Sequence, residues 1–192
     1  WARRGRGKRM ADNIRSNLSR LQGMSVLLAE DNVTNQLVAT QMLENLGATV
    51  DVASDGAIAL ERLAQNTYDI LLVDIEMPRV SGLDVIRSVR SSAGELANAP
   101  VIALTAYAMQ EHREKIRKAG ADGLIPKPII SIEQFGADIL NYMDEGVKRR
   151  SASDAGVWYG QDQLHPPPSR WPKLPRQSDP RDPDSAYTLQ RV

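Results

Sequence analysis

The sequence predicts an α/β protein, a doubly wound sheet of parallel strands with helices on both faces. Three observations carry this prediction. Short apolar runs of strand length alternate with segments of helical period. The run Asp69-Ile70-Leu71-Leu72-Val73-Asp74 is apolar on both faces, as a strand covered from both sides must be. Helix caps and glycine stops separate the segments at the spacing of βα units joined by right-handed crossovers.

The elements follow in order. Val26 to Ala29 is a short apolar run, read as a buried strand. Asn32 can cap a helix from Val33 to Leu46 that Gly47 stops, with Val38, Met42 and Leu46 on one face. Ala48 to Ala53 is the second strand, and Asp55-Gly56 turns the chain into a helix ending near Gln65. Residues 69 to 74 form the third strand, and Gly82 to Ser92 the third helix. Val101 to Leu104 is a strand, Met109 to Ala119 a helix with Gly120 as its stop, and Leu124-Ile125 a last short strand. Ser131 caps a final helix expected to reach about Glu145.

Three segments result. Residues 1–22 form a basic N-terminal extension, with a short helix in which Ile14, Leu18 and Leu21 share a stripe. Residues 23–146 form the folded domain. Residues 147–192 hold seven of the eleven prolines and no helical or strand period, which reads as a disordered tail. The net charge of zero conceals an uneven distribution. The extension carries 7 basic residues and 1 acidic, the domain 9 and 18, and the tail 8 and 5. An acidic body argues against nucleic-acid binding by the core. With no cysteine, disulfides, thiol catalysis and cysteine metal sites are excluded. No apolar run approaches the roughly 18 to 20 residues of a membrane span, and no secretory signal is visible, so a cytoplasmic location is expected.

In open α/β sheets, functional groups gather beyond the carboxyl ends of the strands. Here the first strand ends in Glu30-Asp31, the third in Asp74 and the fourth in Thr105, and the fifth is followed by Lys127-Pro128. Three acids, a hydroxyl and an amine converge if strands one, three, four and five lie side by side. One close carboxylate pair costs roughly 4 kcal/mol at about 4 Å and an effective dielectric near 20. A cation relieves that repulsion. Only oxygen ligands are on offer, so Mg²⁺ is the natural candidate. Magnesium binds phosphate oxygens, which points to phosphoryl transfer with Asp74 as the nucleophile. The metal, Lys127 and the Thr105 hydroxyl would hold the three oxygens of the transferring group.

Glu30-Asp31-Asn32, Asp74, Thr105-Ala106 and Lys127-Pro128 together resemble the receiver domains of bacterial response regulators and hybrid histidine kinases. The resemblance spans about residues 24 to 145. Asp74-Ile75-Glu76-Met77-Pro78 with Ser81-Gly82 is similar to the family's phosphoacceptor loop, and Glu30 to Gln36 to the start of hybrid-kinase receivers. It implies a flavodoxin-like (βα)5 fold with strand order 2-1-3-4-5. It implies Mg²⁺ on Asp31, Asp74 and the Glu76 carbonyl, with Glu30 acting through water. Thr105 would move toward the phosphoryl group, Lys127 would pair with it, and the Lys127-Pro128 bond would be cis. A histidine kinase or histidine phosphotransfer protein would be the phosphodonor. A downstream partner would read the face from the fourth to the fifth helix. The chain would be a signalling domain that takes part in its own aspartyl phosphorylation and dephosphorylation. The family commonly has Tyr or Phe three residues before the lysine, where this chain has Leu124. Tyr107 and Glu76 are then candidates for setting the phosphoaspartate lifetime.

Two other readings use the same residues. One is a flavodoxin-like binding scaffold without phosphorylation. The other is a phosphatase of the haloacid dehalogenase type, whose Asp-x-Asp-x-Thr pattern Asp74 to Pro78 does not match. His112 reads as a solvated residue within a helix, and His165 and Pro172-Lys173-Leu174-Pro175 as features of the tail.

Overall fold

A computed structural model describes residues 17–107 and 109–154, with side chains to residue 148. Five strands, β1 (Ser25–Ala29), β2 (Thr49–Ala53), β3 (Ile70–Asp74), β4 (Val101–Thr105) and β5 (Gly123–Pro126), form one parallel sheet in the order β2-β1-β3-β4-β5. Between and after them run α1 (Val33–Asn45), α2 (Gly56–Gln65), α3 (Gly82–Ser91), α4 (Gln110–Ala119) and α5 (Ile132–Asp154).

Strand alternation divides the core in two. Leu27, Ala29, Leu71, Val73, Val101 and Ala103 point to the face covered by α2, α3 and α4. Val26, Leu28, Ile70, Leu72, Ile102 and Leu104 point to the face covered by α1 and α5. β3 and β4 are buried throughout, as central strands are, whereas edge strand β2 is only partly covered. The caps act as expected. Asn32 accepts from the N–H groups of Thr34 and Asn35, Asp55 from those of Ala57 and Ile58, and Ser131 from that of Gln134.

Several expectations need correction. Asp69 lies just before β3, where its carboxylate accepts from the Ser25 N–H at 2.8 Å. The buried seam of α1 is Ala39 and Leu43, while Val38 faces out, because the helix is apolar on more than one side. The last helix does not end near Glu145. It continues through the buried Gly146 to Asp154, so residues 147–154 are helical and not a disordered stretch. Val147-Lys148-Arg149-Arg150 carries no proline to stop it. The extension also reaches the core. A 3-10 turn at Ser19–Leu21 buries Leu21 completely, and Gly136 of α5 provides the space, since a β-carbon there would lie 2.5 Å from Leu18. Residues 1–16 with Ile14 and the basic cluster, and residues 155–192 with His165 and Pro172 to Pro175, lie outside the described residues. Among the described residues, no helix is long and apolar enough to cross a membrane.

Candidate functional site

Sheet register brings the acids together. Ala29 pairs with Val73 across β1 and β3, so the next residues, Glu30 and Asp74, are neighbours at the carboxyl edge. Thr105 pairs with Pro126 across β4 and β5, which puts Lys127 one step beyond. Carboxylate oxygens of Glu30, Asp31 and Asp74 lie within 4.8 Å of one another, with Glu30 and Asp74 buried and Asp31 exposed. The Lys127 ammonium enters this cluster 2.8 Å from Asp74 Oδ2 and 3.1 Å from Glu30 Oε2.

The electrostatics follow from burial. Burial raises the Asp74 carboxyl above the ordinary carboxylate range. The hydrogen bond from Lys127 pulls it down and the Glu30 charge pushes it up, and the net direction is upward. For Lys127, burial opposes the charge, but Asp74 and Glu30 outweigh it and hold the ammonium above its usual value. Three carboxylates face one ammonium, which leaves surplus negative charge on a small oxygen-lined cluster. That donor set, all oxygen and partly open through Asp31, fits a magnesium ion.

The loop after β3 is fastened at several points. The Glu76 N–H donates to Asp74 Oδ1 at 3.2 Å, while the Glu76 side chain is exposed. Met77 is buried in the core. Arg79 takes the left-handed conformation, with φ 67°, and ion-pairs with the buried Asp55 at the start of α2. Gly82 lies against the Asp74 carbonyl, where a β-carbon would be 2.0 Å from that oxygen.

Thr105 is 1% exposed, and its hydroxyl is engaged with its own loop. It accepts from the Tyr107 N–H at 3.0 Å and donates to the Tyr107 carbonyl at 3.3 Å. Its carbonyl accepts from the Lys127 N–H at 2.8 Å, and the Lys127-Pro128 bond is cis. Tyr107 is half exposed and stacks on His112, ring centroids 5.6 Å apart. His112 is therefore not a solvated residue. It lies in the first turn of α4, half-buried, with Nδ1 enclosed. Leu124 is half-buried, and its carbonyl accepts from the Tyr142 hydroxyl at 3.0 Å.

A family profile for the response regulator receiver domain matches residues 26–138. The chain belongs to the receiver domain family. This receiver is 36% identical over 121 residues to the polar-differentiation response regulator DivK of Brucella anthropi, covering 63% of this chain and 97% of that protein. It is 37% identical over 124 residues to the aerobic respiration control sensor protein ArcB of Escherichia coli K12, covering 65% of this chain but only 16% of that protein. The receiver domain of a sensor histidine kinase from Pseudomonas aeruginosa PAO1 superposes with a TM-score of 0.59 at 32% identity, covering 64% of this chain and 98% of that one. Its crystal structure has a magnesium ion coordinated in the active-site cleft.

The receiver places four expected site residues, Glu30, Asp31, Asp74 and Lys127, in one cluster. Thr105 stands at the next strand end with its hydroxyl turned to Tyr107, and Glu76 contributes its backbone beside Asp74. Sequence reasoning missed Asn35 and Gln36, which grip Glu30 from α1, and the Arg79–Asp55 pair. Glu30 precedes the helix that carries Asn35 and Gln36, so no helical spacing in the sequence links them.

Proposed function

We propose that Asp74 of this receiver accepts a phosphoryl group in a Mg²⁺-dependent reaction and so switches the domain's interaction with a partner. The observation that carries this reading is the Lys127 ammonium 2.8 Å from Asp74 inside a cluster of three carboxylates. Asp31, Asp74 and the Glu76 carbonyl would hold the ion, with Glu30 acting through water. The ion supplies charge neutralisation at the oxygens of the transferring group. An Asp74 oxygen attacks phosphorus, the bond from phosphorus to the donor's imidazole nitrogen breaks, and the electron pair leaves with the imidazole. Lys127 exchanges a carboxylate partner for a phosphoryl oxygen. The Thr105 hydroxyl, freed from the Tyr107 backbone, donates to another.

The donor is a histidine kinase or a histidine phosphotransfer protein, and a downstream partner reads the face formed by α4, β5 and α5. The chain acts in the cytoplasm, as a signalling domain that assists its own phosphorylation and dephosphorylation without turning over a small substrate. The stretch from Glu30 to Gln36 supports descent from a hybrid kinase. Its folded domain comprises residues 23–146 together with the Ser19–Leu21 turn that packs Leu21 into the core and the continuation of α5 to Asp154.

The test is Mg²⁺-dependent binding of beryllofluoride, followed by backbone NMR, on the native chain and on Asp74→Ala. Shifts that need Asp74 and spread from the site to residues 105 to 130 are expected. No binding by the native chain would leave a receiver fold used as a scaffold.

A further inference from the structure

Glu30 is 1% exposed, so its carboxylate oxygens need donors from the protein. Lys127 serves both of them, at 3.1 Å and 3.5 Å, but the same ammonium lies closer to Asp74, at 2.8 Å. A shared ammonium on a flexible stem does not fix the rotation of Glu30. Two further donors reach Oε1, both from the start of α1. They are the Asn35 side-chain amide at 3.0 Å and the Asn32 N–H at 3.3 Å. With Oε1 tied to the helix, Oε2 is left facing Lys127 and the cluster. The next residue, Gln36, donates to the Glu30 main-chain carbonyl at 2.6 Å. One helical turn thus grips Glu30 by its backbone and its side chain.

We propose that Asn35 is a positioning residue for the metal cluster, its side-chain amide fixing the Glu30 carboxylate in the orientation that serves the ion. This rests on the Mg²⁺ reading above. The chemistry explains why an amide suits the position. The amide is neutral, so it orients Glu30 without cancelling the negative charge that a divalent cation needs, as a second lysine would. Partners of this kind, one bond behind the groups that face a metal, commonly change metal affinity by about 10- to 100-fold.

The test is a double-mutant cycle on the full chain, read as Mg²⁺ affinity by calorimetry. Asn35→Leu, similar in shape but without the N–H donor, is expected to weaken Mg²⁺ binding about tenfold. In the Glu30→Gln background the same change should alter affinity less than about twofold, because the carboxylate it orients is gone. An equal loss in both backgrounds would mean that Asn35 supports the fold in general, and the proposal is overturned. So too if Asn35→Leu binds Mg²⁺ like the native chain. Should Asn35→Leu not fold, NMR of the native chain decides. The Asn35 side-chain amide protons should shift on Mg²⁺ addition and stay in place in Glu30→Gln, and unshifted protons in the native chain overturn the proposal. A native chain that binds no Mg²⁺ refutes the functional reading itself, whereas native binding with an indifferent Asn35 refutes only this inference.

Discussion

Gly82→Ala sets two opposed effects against each other at a measurable scale. Gly82 opens α3, so alanine there gains helix propensity, up to about 1 kcal/mol. Against this, the new β-carbon would lie 2.0 Å from the Asp74 carbonyl oxygen and 2.8 Å from both the Asp74 carbonyl carbon and Ile75 Cα. Contacts of this type need about 3.4 Å or more, so strand end and helix must separate by roughly 1.4 Å. Neither yields easily. Val85, Ile86 and Val89 anchor α3 in the core, and β3 is buried along its length. Overpacking of this kind costs about 1–3 kcal/mol. The clash wins, with a net loss of about 1–2 kcal/mol, or a Tm lower by about 3–10 °C for a domain of this size. Asp74 moves with the strand end, and a displacement of about 1 Å at a reacting group can cost about 100-fold in function. Thermal melts in chelator and beryllofluoride titration read the two effects separately. A Gly82→Ala protein that melts at or above the native temperature and binds the mimic equally well would refute the reasoning.

Three further outcomes are expected. In chelator, the raised Asp74 carboxyl means the folded state holds its proton more tightly than the unfolded state, so stability is lost as pH rises from the unfolded carboxylate value through the folded one. Asp74→Asn should therefore be more stable than the native chain in chelator at neutral pH, with a flatter profile from pH ~4 upward, and should forgo the roughly 2.7 kcal/mol that Mg²⁺ at 100 times its Kd confers on the native chain. Denaturant melts with and without the ion check both points. Leu21→Ala should cost about 2–5 kcal/mol by urea unfolding, because Leu21 is fully buried although it precedes the first strand. Arg90→Met should cost about 3–5 kcal/mol, since Arg90 pairs with the buried Asp122 carboxylate at 2.7 Å, and guanidinium unfolding would show it.

Much of the site was legible because its residues stand one or two steps beyond an apolar run, and parallel register converts sequence position into spatial neighbourhood. Glu30 and Asp74 meet because Ala29 pairs with Val73. What escaped depends on contacts that only the folded chain brings about. Asn35 looks like any polar residue in a helix until α1 turns it onto Glu30. Arg79 and Asp55 are 24 positions apart, and nothing local couples them. His112 sits among charged residues, which conceals the Tyr107 ring folding back across the start of α4. The face of α1 was misjudged because Leu37 and Val38 are apolar yet exposed, so the period alone could not choose the buried side.

The continuation of α5 has a geometric consequence for the backbone up to residue 154. A helix advances about 1.5 Å and turns about 100° per residue, so the eight residues from Val147 to Asp154 carry the chain about 12 Å further along a fixed axis. A flexible joint at Gly146 would have left the direction of residues 147–154 open. A continuous helix instead fixes the heading and rotational phase of the backbone as far as Asp154. Inserting one residue between Gly146 and Asp154 would rotate Asp154 by about a quarter turn about the axis, and inserting seven would restore nearly its original bearing one pair of turns further out.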